Sequence, residues 1–334
     1  MADLTRPAVA PVPAGGSTAA PARAATAPAP ATARAATAPA RARTAAAAAG
    51  SDPVRAGSVP ARARTAAAGA GSDPVRSANA ATTVRAQARI TAEPDGRGGT
   101  ALPELAGAGP LALRRTRDGE GGAARVTVIG SMAGPLGGDR IGLRIDVRAG
   151  AALHVASAAA TVSLPGPHTG PHPVPAHYDL DLTVGEDATL HWLPEQVVAA
   201  SGSHLITRVR IRLAAGARLR YREEQVLGRH HDWSTGTPPG RLTTRLTVTR
   251  TGRTVLDQQT DIGPGAPAWN GPAVLGPHRT AGQLLTVGDP APPPPPPDTD
   301  AVLLILPTPD ATLLTALAPD ALALRRLLLH PAAR

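Results

Sequence analysis

Asp139, Glu223, Glu224 and ten histidines are the residues of this chain whose types could do chemistry, and there is no cysteine to join them. Without thiols, a thiolate nucleophile, a zinc–thiolate site and a disulfide framework are excluded. Any metal must rest on His, Asp, Glu or backbone oxygen. His168, His172 and His177 sit in the stretch LPGPHTGPHPVPAHYD. Their spacing could ligate a borderline metal such as nickel. Pro and Gly deny them a helix to fix the geometry, so solvated loop histidines are the expectation. His230 and His231, after Leu227-Gly228-Arg229, are expected to be exposed. His154 and His191 alternate with core leucines, which puts them on the outer faces of strands. Glu223 and Glu224 are strand neighbours facing opposite sides, which excludes a carboxylate dyad. The bend SMAGPLGGDR at Ser131–Arg140 lacks the Gly-Lys-Ser/Thr ending of a phosphate loop. It reads as a tight turn, at whose exit Asp139 either ligates a metal or hydrogen-bonds the turn. No Gly-x-Ser-x-Gly elbow and no His-Glu-x-x-His helix occurs. A non-catalytic scaffold, not an enzyme, is the expectation.

The elements that must position these residues are written as a repeat. VRAGAALHV at Val147–Val155, VGEDATLHW at Val184–Trp192 and LAAGARLRY at Leu213–Tyr221 share one pattern. Each closes a run of alternating apolar residues: Ile141, Leu143 and Ile145; Tyr178, Leu180 and Leu182; Val209 and Ile211. Period two places each set on one strand face. Gly150, Asp187 and Gly216 then stand where a tight turn wants φ > 0 or a short polar side chain. The unit is strand, turn, strand, and stacked copies bury a face that one copy cannot. The expected fold is mainly β, a β-solenoid or β-helix-like stack of two-layer sheets. Further strands are expected at Gly109–Thr116, Ala124–Gly130, Leu242–Arg250 and Arg253–Ile262. After the prolines Pro292–Pro297, AVLLILP at Ala301–Pro307 reads as a buried strand. The leucines of Asp310–Leu329 read as one or two short helices, giving a small α-helical C-terminal part.

Composition divides the chain in three. Residues 1–92 are almost wholly Ala, Pro, Arg, Thr, Gly and Ser, with one Leu, one Ile and no aromatic residue. Burial cannot offset their ordering entropy, so a disordered N-terminal tail is expected. It holds 11 Arg and 3 Asp, and so +8 of the chain's +9. Such a tail could bind nucleic acid or an acidic partner. A solvated linker is the plainer reading, because Lys and Phe are absent throughout and point to codon bias. Residues 93–290 read as a β-rich core, and 291–334 as a proline spacer with a short strand and helical segment. No apolar stretch is long enough for a spanning helix, no leader is apparent, and a cytoplasmic protein is the expectation.

GPLALRRT, GSMAGPLGGDR, LHWLPEQ and EEQVLGR occur in that order. Between roughly residues 105 and 265 the chain thereby resembles the urease accessory protein family UreD, also called UreH. The residues that carry the likeness are Gly109–Leu111, Gly134, Pro135, Gly137, Gly138, Asp139, Trp192, Leu193, Pro194, Gly228 and Arg229. The resemblance implies a helix-like stack of strands that serves as a scaffold or chaperone in nickel insertion. It implies three partners: the urease apoprotein, UreF, and the GTPase UreG through UreF. No membrane and no nucleic acid are expected among them. It also implies transient Ni2+ in an internal, partly acidic passage, with no tightly bound cofactor. Asp139 and Glu223 match family carboxylates, against the alternatives of a turn cap for Asp139 and a surface salt bridge for Glu223. Three places depart from the family pattern. Ala160-Thr161-Val162-Ser163 replaces a Thr-Lys stretch, His230-His231-Asp232-Trp233 replaces a Gly-Glu pair, and Gln258 replaces a carboxylate. Apolar surface for partners is expected at the C-terminal leucines or near Trp192. Two other classes are the alternatives, a β-solenoid polysaccharide-acting or carbohydrate-binding protein and an Arg-rich nucleic-acid-binding protein. Three Trp and two Tyr give the first a thin sugar-stacking platform.

Overall fold

A computed structural model describes residues 83–117, 122–167, 174–308 and 310–329. The chain is mainly β. One sheet has the order β14 (Arg253–Ile262), β13 (Arg241–Arg250), β11 (His204–Leu213), β8 (Ala176–Val184), β5 (Arg140–Val147), β1 (Arg85–Pro94), β2 (Thr100–Ala106). The other runs β16 (Ala301–Ile305), β17 (Ala311–Ala318), β15 (Thr280–Val287), β12 (Arg218–Leu227), β9 (Thr189–Trp192), β6 (Ala152–Ser157), β4 (Ala124–Gly130), β3 (Leu111–Thr116). Short β7 (Thr161–Ser163) and β10 (Val197–Ala199) pair with each other, and β10 also with β12. Two helices complete the described elements, α1 (His230–Ser234) and α2 (Ala321–Leu328).

The repeat works as its pattern demands. Each copy sends one strand to each sheet: β5 then β6, β8 then β9, β11 then β12. Neighbouring copies therefore lie parallel. Leu143 pairs with Leu180, Leu180 with Val209 and Val209 with Leu246 on one wall. Leu153, Leu190 and Leu219 line up on the other. All of them are buried between the sheets. The turns have φ of 72° at Gly150, 52° at Asp187 and 66° at Gly216. They stack by backbone bonds, the Gly150 N–H to Glu186 O and the Asp187 N–H to Ala215 O. On the outer face of the first sheet, Arg210 pairs with Asp181 and Arg245 with Asp257, each at 2.8 Å.

Several expectations are corrected at the ends of the chain. The boundary at residue 92 falls inside β1, which lies between β5 and β2. Its inward residues Ala88, Ile90 and Ala92 are buried. Two of the three are alanines, so the strand adds little apolar signal, and Ile90 is its one large buried side chain. The first 82 residues of the expected tail lie outside the described residues. At the other end, the expected boundary at 290 is crossed, because β16 and β17 extend the second sheet beyond β15. The strand expected to be buried, β16, is that sheet's edge, with Ile305 86% exposed. The first part of the expected C-terminal helix is β17, and only α2 is helical. Trp192 is buried and offers no surface, whereas Val302, Leu304, Leu322 and Leu329 are exposed.

Helix α2 lies on the outer face of the second sheet. Leu324 and Leu328 pack with Leu284, Leu314, Ala316 and Ala318 into a second apolar cluster. The Asp320 carboxylate caps the helix by accepting the Ala323 N–H at 2.9 Å.

Candidate functional site

The Gly-rich bend enters β5 on a buried carboxylate. Asp139 Oδ1 accepts the Val84 N–H at 2.8 Å, and Oδ2 accepts the Leu136 N–H at 2.9 Å. Oδ1 thus ties the bend to the residue just before β1 and Oδ2 closes the bend on itself, which makes Asp139 the cap of its own turn. The glycines allow backbones to cross. A Cβ on Gly137 would stand 2.6 Å from Val174 O, and Gly138 has φ of 96°. The Gly134–Pro135 peptide is cis.

The Leu-Gly-Arg motif builds a corner. Gly228 has φ of 76° where β12 ends. Arg229 is the N-cap of α1 and grips Asp232, with Nη2 donating to Oδ1 at 3.0 Å and Nε to Oδ2 at 3.2 Å. The Trp233 indole donates to Leu227 O, and Arg279 lies over its ring at 4.3 Å. Arg229 and Gly228 are therefore structural at this corner.

Six motif residues meet Glu223 at one place, Pro110 and Leu111 among them. Gly134, Pro135, Trp192 and Pro194 line, with Glu223, a cavity of about 350 Å³ between the sheets. Tyr178, Tyr221 and Leu180 form other parts of its wall. Asp139, Gly137, Gly138, Leu193, Gly228 and Arg229 are not in that lining. Leu193 instead packs with the outer cluster beneath α2.

Glu223 is 9% exposed and has no cationic partner among the described residues, which overturns the surface salt bridge. Its Oε1 accepts Gln225 Nε2 at 2.8 Å, and its Oε2 accepts Gln283 Nε2 at 2.7 Å. The Tyr221 hydroxyl also points to Oε2, at 3.5 Å. Gln225 reaches on to Thr244 Oγ1 at 2.9 Å, and Gln258 donates to Gln283 Oε1. Burial pushes the Glu223 carboxyl above its ordinary range, although the amide and hydroxyl bonds pull the other way. Burial also raises the Tyr221 phenol well above its ordinary value, so it remains a donor.

A second cavity, of about 470 Å³, is lined by Glu223, Gln225, Gln258, Gln283, Thr260, Asp300 with Thr299 before β16, and residues of β15 to β17. Glu223 faces both cavities. Of the glutamines around it, the family pattern singles out Gln258, whereas sequence reasoning gave no role to Gln225 or Gln283. Glu223 and Gln225 at i and i+2 share a strand face and could have signalled the pairing, but Gln283 lies 60 residues further on.

Among the described residues the histidines gather no ligand set. His168 and His172 lie outside the described residues, and His230 and His231 are exposed as expected. His154 and His191 do lie on the outer face, stacked at 4.3 Å, and His191 Nε2 bonds Asp289 Oδ2 at 3.0 Å. Among the described residues no group of three His, Asp or Glu is disposed to hold a metal, and no helix is long and apolar enough to cross a membrane.

Two β-sheets with a pocket between them, and a desolvated carboxylate held by neutral donors on its wall, define a β scaffold with a buried polar cluster. Residues 84–332 match the family model described as UreD urease accessory protein, and the chain belongs to that family. It is 57% identical over 252 residues to "Urease accessory protein UreD 3" of Streptomyces griseus, spanning 74% of this chain and 95% of that protein. To "Urease accessory protein UreD" of Streptomyces avermitilis it is 53% identical over 257 residues, spanning 74% and 96% respectively. To "Urease accessory protein UreD 2" of Saccharopolyspora erythraea it is 46% identical over 259 residues, spanning 75% and 87%. The match runs well beyond both ends of the stretch that carries the sequence motifs, and takes in β1 and α2.

Proposed function

We propose that this chain is a maturation factor for urease, a non-catalytic scaffold of the cytoplasm. It holds the urease apoprotein and the UreF–UreG pair while Ni2+ is delivered. The strands that alternate between two sheets form the coils of a β-helical body on which those partners assemble. Ni2+ is cargo here and no cofactor stays bound. The family membership supports the role in urease maturation. One observation carries the route: Glu223 is the residue that lines both pockets, the one between the sheets and the one beside β15 to β17. A single carboxylate held by glutamine and tyrosine donors offers its own two hard oxygens and no closed cage. Weak, sparse coordination of that kind lets an ion enter and leave. Asp139 contributes by holding the bend whose Gly134 and Pro135 wall the first cavity.

The test is Glu223→Gln in the full chain, co-expressed with urease and its accessory proteins. Urease nickel content is expected to fall severalfold while the far-UV spectrum of the variant stays β-rich. Wild-type nickel content in a folded variant would overturn the route.

A further inference from the structure

The wall of the first cavity is held from outside by a residue more than a hundred positions away from it. Glu224, whose side chain is 1% exposed, turns from its strand neighbour Glu223 toward α2. There Arg325 Nε donates to Glu224 Oε1 at 2.9 Å, and Nη2 donates to Oε2 at 3.0 Å. The same guanidinium donates through Nη1 to Glu195 Oε1 at 2.9 Å and through Nη2 to Gln196 Oε1 at 3.3 Å. A second arginine, Arg222, lies beside this group. Its Nη2 donates to the carbonyls of Leu193 and Pro194, at 3.3 and 2.7 Å. Its Nε is 2.8 Å from Glu224 Oε1 but misaligned for a hydrogen bond. Pro194, Glu195, Arg222 and Glu224 all line the first cavity. Two arginines and two carboxylates therefore balance there, and one of the arginines comes from the C-terminal helix.

We propose that Arg325 is a positioning residue for the cavity: it fixes the Leu-Pro-Glu-Gln stretch and neutralises Glu195 and Glu224, leaving Glu223 as the carboxylate of that cavity's described lining without an ionic partner. The inference rests on reading that cavity as the path of the cation. Bidentate and forked contacts suit Arg, because its planar donors fix geometry as well as charge. Burial works against the Arg325 charge, but the bonds to Glu195 and Glu224 outweigh it and hold the guanidinium protonated. Arg325 draws the Glu195 carboxyl below its usual range in turn. Without Arg325, two carboxylates would face Arg222 alone, and the wall would retain the ion it should pass.

The experiment uses the purified full chain as wild type, Arg325→Gln, Arg325→Lys and the double variant Glu224→Gln/Arg325→Gln. Ni2+ binding is measured by equilibrium dialysis, folding by circular dichroism, and urease nickel content by co-expression. Arg325→Gln is expected to bind Ni2+ about tenfold more tightly, the effect of one uncompensated carboxylate in a partly wetted site, and to lower urease loading. Arg325→Lys restores wild-type affinity because it restores the charge. The double variant also returns to wild-type affinity, yet still loads urease poorly because the stretch at Glu195 is loose. A merely structural arginine would lower the melting temperature and leave affinity unchanged. Wild-type affinity and loading in folded Arg325→Gln would overturn the proposal. Should that variant not fold, wild-type loading in the double variant would overturn it. If Glu223→Gln loads urease normally while Arg325→Gln still binds Ni2+ more tightly, the route fails and the charge balance at the wall stands.

Discussion

A carboxylate whose two oxygens each accept a backbone N–H is stronger as a strut than as a ligand, and Asp139 is such a carboxylate. Asp139→Ala leaves the Val84 and Leu136 N–H groups without partners in a partly buried place, at about 1–3 kcal/mol for each group that water does not reach. A melting temperature several degrees lower is expected, alongside any loss of nickel delivery. A variant that loses delivery at an unchanged melting temperature would instead make Asp139 a ligand. The stacked pair His154 and His191 gives a pH prediction. Burial holds both rings below the ordinary histidine value, and their mutual repulsion lowers His154 further, while Asp289 opposes the shift at His191. The folded state therefore binds protons less readily than the unfolded chain. Stability is complete above about pH 6.5 and declines as pH falls below it. Thermal melts down to roughly pH 5.5 should show the decline, and His154→Phe should reduce it. His177 and His204 are lowered by burial too, so part of it will remain. The turn at Asp139 was legible because Gly-Gly-Asp names its own geometry. The surroundings of Glu223 were not, because they come from a strand distant in sequence and from amides that carry no charge signal.

Among the elements, the three repeat copies could be read directly, since one buried face and a glycine or aspartate turn leave a clean alternation. The C-terminal strand β17 could not. It is buried on both sides, with Ala311 and Leu313 toward the main core and Leu314, Ala316 and Ala318 toward α2. Alternation vanishes in such a strand, and a short apolar run cannot be told from a helix by period alone. The helix itself divides sharply. Leu324 is 0% exposed and Leu322 is 61% exposed. Leu324→Ala is expected to cost about 2–5 kcal/mol through the lost burial and the cavity left behind. Leu322→Ala should fall within about 0.5 kcal/mol of wild type. Urea melts of the two variants test this. Equal effects would mean that α2 is not seated on the sheet as described.

For the molecule as a whole, the question is where its folding unit starts. The body described from residue 83 contains the buried core. The 82 residues before it carry 9 Arg and 3 Asp, a net +6. A chain beginning at residue 83 should melt at the same temperature as the full chain and load urease with nickel equally well. It should lose affinity for a cation exchanger or heparin, by an amount that shrinks as salt rises. A chain beginning at residue 93 is the informative contrast, because only ten residues separate the two. That cut removes Ala88, Ile90 and Ala92 from the core and the Val84 N–H from Asp139. It also strips one of the two parallel partners from β5, over eight paired positions, Arg85↔Arg140 through Ala92↔Val147. The shorter chain should therefore be insoluble or lack a cooperative melt. If it folded as well as the longer one, β1 would be an ornament of the sheet rather than part of its frame, and the strut at Asp139 would have nothing to hold.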